Sequence, residues 1–384
     1  MNIAILSVSD KGKKLSARLK TLLDEDFTII KTTTFHKNVK DSINIVFNGR
    51  HDTVDNATYN NFINKSYDAI IGIMATGILI RNIADKIQDK TRDPAIISMD
   101  DNGKYVISLV SGHLGGANEL AKKIAKLIGG EPVITTATDT NNKIGIDTLA
   151  SKLHWEIVNK SEILSFNKVI LEEKNIKIYI NTATEGKILY KKYIEDYIKN
   201  QEKNTLEIID LKNKKSSIDN ILPRDSSNNI ADDNSYNDYN IIATFNNHIM
   251  FFEEKKIVIG IGAKANISKE KIIEAIQIVL NNLKLPIERV DYISTAEIKK
   301  DETGILEAVR EINKPLKIVG IDEIKNFKSP DISKSKFVKE KFDIPGVAEP
   351  TAMIVAKKES NNESRLIHKK TPVDGVAVAV AVSK

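Results

Sequence analysis

One histidine stands among glycines in Ser111-Gly112-His113-Leu114-Gly115-Gly116, between an apolar run, Tyr105 to Val110, and a helical pattern that starts near Ala117. An imidazole with an ordinary pKa of about 6.5 exchanges protons at neutral pH, which suits His113 to general acid–base work. Glycines let backbone N–H groups come close to a ligand, so Gly115 and Gly116 at a helix start are expected to hold an oxyanion or a carboxylate. Two other segments share this character. Ala75-Thr76-Gly77 follows the apolar stretch Tyr67 to Met74, and Thr135-Thr136-Ala137-Thr138-Asp139 ends a run that begins at Pro132. Arg81, one turn into the helix after Gly77, and Lys90 offer cations for anionic groups, the arginine in bidentate fashion. Glu119 or Asp139 would orient His113 or polarise a water, and the sequence does not choose between them. With Ser111, Gly112 and Asn118, these residues make up the candidate site.

Each has a plainer reading. His113 can fix its turn by a bond to a backbone carbonyl, the glycine pair can serve close packing, and Asn118 and Glu119 can serve the helix end electrostatically. Arg81 and Lys90 can be solvated surface charges. Asp93 before Pro94 suits a turn, and Glu349 before Pro350 suits a helix start.

The elements that position these turns read as alternating strand and helix, the pattern of a parallel or mixed sheet. Asn2 to Val8 reads as a strand entering a helix, and Tyr67 to Met74 as a strand covered on both faces. A helix follows from about Ile78 to Ile87. A hairpin then turns at Asp101-Asn102-Gly103 and delivers the chain to the histidine turn. The next helix buries Leu120, Ala121, Ile124, Ala125 and Ile128 and stops at Gly129-Gly130, before the strand Pro132 to Ala137. All three polar-tipped turns thus follow strands, and neighbouring strands would gather them into one cleft at the C-terminal edge of the sheet.

The fold class is therefore multidomain α/β: N- and C-terminal modules, each with a parallel or mixed sheet flanked by helices, and a small middle module. The modules are read as 1–140, 141–250 and 255–384, with a polar insertion near 216–240. In the third, Gly260-x-Gly262 is only a fragment of a dinucleotide fingerprint. The 384 residues contain no cysteine, which excludes disulfides, thiolate metal sites and cysteine nucleophiles. Lys and Arg total 57 against 52 Asp and Glu, a small excess spread along the chain. Nucleic acid is not favoured as a partner. No secretory signal or membrane span is expected, which points to the cytoplasm.

The strings Ala75 to Ile78, Ser111 to Asn118 and Thr135 to Asp139, with Lys90 and Asp93-Pro94 between them, resemble the N-terminal region of the CbiG family, the cobalt-precorrin 5A hydrolases of anaerobic cobalamin biosynthesis. The third module is similar to that family's C-terminal domain through Gly260-Ile261-Gly262, ISTAEIKKDETGILE and Gly346 to Met353. Where the family often has Cys and a Gly-Thr pair after its G-I-G, this chain has Ala263 and Asn266-Ile267. The resemblance implies a cobalt tetrapyrrole as substrate, opening of its lactone and release of acetaldehyde to give cobalt-precorrin 5B. It also implies that cobalt arrives within the substrate, with no metal or other cofactor held by the protein. Homo-oligomerisation and contacts with other enzymes of the pathway stay open. Two other classes compete: a non-catalytic corrinoid carrier or scaffold, and an α/β enzyme for a phosphate ligand, although neither phosphate-loop motif is complete.

Overall fold

The computed structural model describes residues 1–48, 67–89, 93–182, 185–199, 205–210, 239–360 and 363–383. They form two compact units, one of Met1–Ile134 with Lys256–Lys384 and one of Thr135–Lys255.

The first sheet contains β1 (Asn2–Ser7), β2 (Lys31–His36), β3 (Ala69–Ile73), β4 (Ala95–Met99), β5 (Tyr105–Val110) and β6 (Glu131–Val133), in the order β2-β1-β3-β4-β5-β6. Its helices are α1 (Asp10–Asp24), α2 (Val39–Asn48), α3 (Thr76–Ile83) and α4 (Ala117–Ile128). Strand side chains alternate between faces, so Ile3, Ile5, Ile71 and Ile97 join Leu19, Leu23, Leu120 and Ile124 from α1 and α4. Ala4, Leu6, Ile70 and Ile96 face the other way and pack with Ile43, Val46, Leu79 and Ile83 from α2 and α3. Each large aliphatic side chain buried this way contributes roughly 1.5–3 kcal/mol.

One turn sets the direction of β5. Asp100 accepts the N–H groups of Asn102 and Tyr105, both at 2.8 Å, and so reverses the chain after β4. Burial pushes the Asp100 carboxyl up, but the Tyr105 and Asn102 N–H groups outweigh it and hold it below the ordinary carboxylate value. As a result β5 runs antiparallel to β4, with Met99 opposite Val106 and Ile96 opposite Val110. Through α4 the chain then crosses to β6, which is parallel to β5.

In the same unit a second sheet contains β12 (Ile257–Ala263), β13 (Tyr292–Ala296), β14 (Leu316–Val319), β15 (Ser364–Val373) and β16 (Val376–Ser383), ordered β14-β13-β12-β16-β15. Helices α9 (Lys269–Leu283) and α10 (Thr303–Glu311) accompany α11 (Ile321–Asn326), α12 (Lys336–Phe342) and α13 (Ala348–Ser360). The VAVAVAVS strand shows its pattern plainly: Val376, Val378, Val380 and Val382 pack with residues of α9 and α10. Ala379 and Ala381 face α13, where small side chains allow close approach.

Strand β15 lies along the start of the first sheet. Lys369 donates its backbone N–H to Phe27 O at 2.9 Å, and Phe27 stacks on His368 at 5.7 Å. Further along, Arg365 Nη1 is 3.8 Å from Asp68 Oδ1, and Asn2 Nδ2 donates to Asp331 Oδ1 at 3.0 Å. His368 is fully buried here, and burial holds its pKa below the ordinary 6.5.

The other unit has its own sheet, with β7 (Trp155–Ile157), β8 (Ile176–Ile180), β9 (Leu206–Asp210), β10 (Ile241–Phe245) and β11 (His248–Glu254) in the order β7-β11-β10-β8-β9. Helices α5 (Ala137–Thr140), α6 (Ile146–Lys152), α7 (Ile163–Leu171) and α8 (Glu185–Lys199) belong to it. Buried Trp155 donates its indole N–H to Tyr190 Oη at 3.0 Å. The polar insertion near 216–240 falls almost wholly outside the described residues.

Candidate active site

Strand direction divides the sequence-predicted site. Strands β1, β3 and β4 are parallel and end on one edge of their sheet, so Thr76, Gly77 and Arg81 lie there with α3. Because β5 is antiparallel, Ser111 to Gly116 emerges at the opposite edge, beside the start of β4. The expectation that both turns line one cleft is therefore corrected. The missing element was the sign of one strand.

The histidine turn is tightly built. Ser111 adopts φ of 58°, the left-handed region that few non-glycine residues occupy. Its carbonyl accepts the N–H of Ala117 at 3.1 Å, and the Gly112 carbonyl accepts that of Asn118 at 3.1 Å. A Cβ on Gly115 would fall 2.4 Å from Ser111 Cβ and 2.8 Å from Ser111 O, so no larger residue fits unless the turn moves. Gly116 caps α4 with φ of 81°. Its N–H donates to His113 O at 2.9 Å.

These bonds change two roles. The N–H groups of Gly116, Ala117 and Asn118 are already satisfied by carbonyls of the turn, so Gly116 shapes the site rather than offering an oxyanion donor. Asn118 is 2% exposed and lies beneath the turn, its Oδ1 accepting from Ser108 Oγ at 2.6 Å while its amide packs under Gly112. It is a support for the loop and not a surface for ligand. His113 is half-buried, and Ser111 Oγ is enclosed with no hydrogen-bond partner among the described residues. Glu119 is exposed on α4, with Lys122 Nζ 3.3 Å from its carboxylate.

The other edge holds a cleft of about 330 Å³ lined by Val8, Ser9, Met74, Thr76, Asp101 and Tyr105, among others. It sits between the ends of β1 and β3, where the strand order reverses. Thr76 Oγ1 is 2.9 Å from Ser98 Oγ, and exposed Arg81 reaches back to Gly77 O at 3.4 Å. Lys90 lies outside the described residues. Asp93 is a turn former, accepting the Gln88 N–H with both oxygens at 3.1 Å.

The expected strand over Pro132 to Ala137 is shorter in the structure. It stops at Val133, and Thr136 becomes the residue before α5, with Thr135 ahead of it and Asp139 inside that one-turn helix.

Of two C-terminal residues, the sequence reading gave Glu349 only a helix-start role and did not single out Arg365. Glu349 is buried and ties the loop at Ser333 to β15, accepting Ser333 N and Oγ at 2.7 Å and Lys370 N at 2.9 Å, so it does more than start a helix. Arg365 reaches the edge that carries the histidine turn. Nothing in the local string RLIHKK marks one of its cations over the others. Among the described residues, no group of three or more His, Asp or Glu side chains is arranged to hold a metal ion, and no helix is long and apolar enough to cross a membrane.

Two helix-flanked sheets in one unit and a third sheet in the other define a multidomain α/β protein. The family descriptions Cobalamin synthesis G N-terminal and Cobalamin synthesis G C-terminus match residues 60–139 and 257–381. The chain is 31% identical to the probable cobalt-precorrin-5A hydrolase of Methanocaldococcus jannaschii over 387 residues, 99% of each chain. It is 28% identical to the cobalt-precorrin-5A hydrolase of Priestia megaterium over 308 residues, 78% of this chain and 77% of that one. The fold is similar to that of a cobalamin biosynthesis protein G homolog from Sulfolobus solfataricus, with a TM-score of 0.57 and 24% identity over 100% of this chain and 97% of that one. The chain belongs to the CbiG family.

Proposed function

We propose that this protein is a cobalt-precorrin-5A hydrolase, which opens the lactone of the ring-contracted cobalt tetrapyrrole and releases acetaldehyde. The observation that carries this reading is the end-to-end likeness to a relative of that name, spanning both family modules. In this reading the substrate carries the cobalt and the protein works in the cytoplasm.

The reaction sets requirements that the histidine turn suits. Water adds to the lactone carbonyl, the oxyanion collapses, and the ring oxygen leaves as a hydroxyl on the extruded carbon. Loss of that hydroxyl's proton makes the C=O of acetaldehyde as the carbon–carbon bond breaks, and its electron pair passes into the conjugated macrocycle, which is then protonated. His113 is assigned the proton transfers of lactone opening. Ser111, Gly112 and Gly115 shape the surface that receives the lactone, while Gly116 and Asn118 hold that surface in place. Asp139, Thr135 and Thr136 stand as separate candidates in the second unit.

Anaerobic incubation with cobalt-precorrin 5A, with acetaldehyde trapped as it forms, tests the reading. Stoichiometric acetaldehyde is expected. Tight retention of the corrinoid with no acetaldehyde would make the protein a carrier instead.

A further inference from the structure

Arg81 lies on the edge opposite the histidine turn, and a polyanionic substrate calls for a cation beside that turn. The C-terminal module supplies one. Strand β15 runs along that edge from Lys369, bonded to Phe27, to Arg365, which faces Asp68 just ahead of β3. The Asp68 carbonyl accepts the N–H of Ala95 at 3.0 Å, and this same Ala95 nitrogen is 3.3 Å from where a Gly115 Cβ would stand. Gly116 is equally close to the first sheet's beginning, since a Cβ there would sit 3.5 Å from Met1 Cε. Neighbouring strands are spaced about 4.8 Å apart, so the start of β3 lies roughly 10 Å, two strands, from the end of β5. Arg365 and the histidine turn are thus within the breadth of one tetrapyrrole.

The state of Arg365 fits a ligand contact. Its side chain is 41% exposed, and its carboxylate partner, Asp68, stands at 3.8 Å, beyond a good hydrogen bond. Asp68 is engaged elsewhere, with Oδ2 accepting the Asn2 N–H at 2.7 Å. A buried structural arginine in this module looks different: Arg289, 3% exposed, donates to Asp291 at 3.1 Å.

Resting on the hydrolase reading, we infer that Arg365 is a substrate-binding residue, taking a peripheral carboxylate of the corrinoid, and that the C-terminal module thereby completes the site begun by the histidine turn. Guanidinium and carboxylate pair through two parallel hydrogen bonds, which fixes the macrocycle's orientation as well as its affinity.

The test compares steady-state acetaldehyde release by wild type, Arg365→Ala, Arg365→Lys and Asp68→Asn. Removing a charge-assisted hydrogen bond is expected to raise KM roughly tenfold or more in Arg365→Ala, with kcat little changed. Arg365→Lys should fall between, and Asp68→Asn, which frees the guanidinium, should leave KM unchanged or lower it. Unchanged KM in Arg365→Ala overturns the inference, and so does a matching loss in Asp68→Asn, because the arginine would then serve only that pair. If wild type releases no acetaldehyde, the hydrolase reading fails by itself. Equilibrium retention of the cobalt corrinoid by the same variants on ultrafiltration then decides the Arg365 contact, with weaker retention by Arg365→Ala expected and equal retention overturning it.

Discussion

The two edges of the first sheet carry turns that look alike in sequence and differ in what they build. Ala75-Thr76-Gly77 opens α3 beside a cleft at the strand-order reversal, walled by Met74, Tyr105 and two aspartates. Ser111 to Gly116 opens α4 with the N–H groups of Gly116, Ala117 and Asn118 bonded to carbonyls of the turn and with a second module laid along the same edge. Small residues between a strand and a helix therefore report that backbone must pass closely. They do not report which way the strand runs. The Asp100 turn, by reversing β5, decides that the histidine turn emerges on the edge along which β15 lies.

If the histidine edge holds the chemistry, the largest effect belongs to His113. His113→Ala should slow acetaldehyde release by roughly 100-fold or more, the usual worth of a general acid–base group, with the melting temperature unchanged. A rate equal to wild type would reduce the histidine to a residue that only fixes its turn.

Gly115→Ala sharpens the comparison through stability. The new methyl must displace Ser111, and an overpacked site of this kind costs about 1–3 kcal/mol. Denaturant titration should register that loss together with lost turnover. A stable, active variant would mean that the turn is looser than its contacts imply.

A smaller effect separates the edges by pH. His368 lies where β15 meets the first sheet, and burial lowers its pKa, so the folded protein takes up this proton less readily than the unfolded chain. Its stabilising contribution is full above pH 6.5 and is lost as pH falls from there toward the depressed folded value. Thermal unfolding between pH 7 and 5 should therefore show a decline that His368→Gln makes shallower. Parallel curves for the two proteins would remove His368 from the account. The smallest effect is expected at the other edge, where Thr76→Val loses only the contact to Ser98 and should leave kcat and KM as they were; a raised KM would bring that cleft back into the substrate site.

Much of the fold was legible because its signals are local. Ile3/Ala4/Ile5/Leu6 and the VAVAVAVS strand alternate as two-faced strands must, and Leu120, Ile124 and their neighbours mark the buried stripe of α4. The histidine turn was legible for the same reason, since Gly112 and Gly115 are required by contacts with Asn118 and Ser111, within six residues, and Gly116 by its own left-handed φ. What the sequence did not disclose depends on distant partners. The direction of β5 is a matter of pairing, the burial of Asn118 depends on Ser108, and Arg365 becomes interesting only when Asp68, about 300 residues earlier, is placed beside it. The end of β6 was read too long because Thr135 and Thr136, good strand residues, instead lead into a one-turn helix.

The most direct test of the central claim, that the histidine edge and not the strand-order cleft performs the reaction, is acetaldehyde release from cobalt-precorrin 5A measured side by side for His113→Ala and Arg81→Ala. Release is expected to collapse in the first and to keep its wild-type rate in the second. A wild-type rate in His113→Ala together with a collapse in Arg81→Ala would place the chemistry on the opposite edge and contradict it.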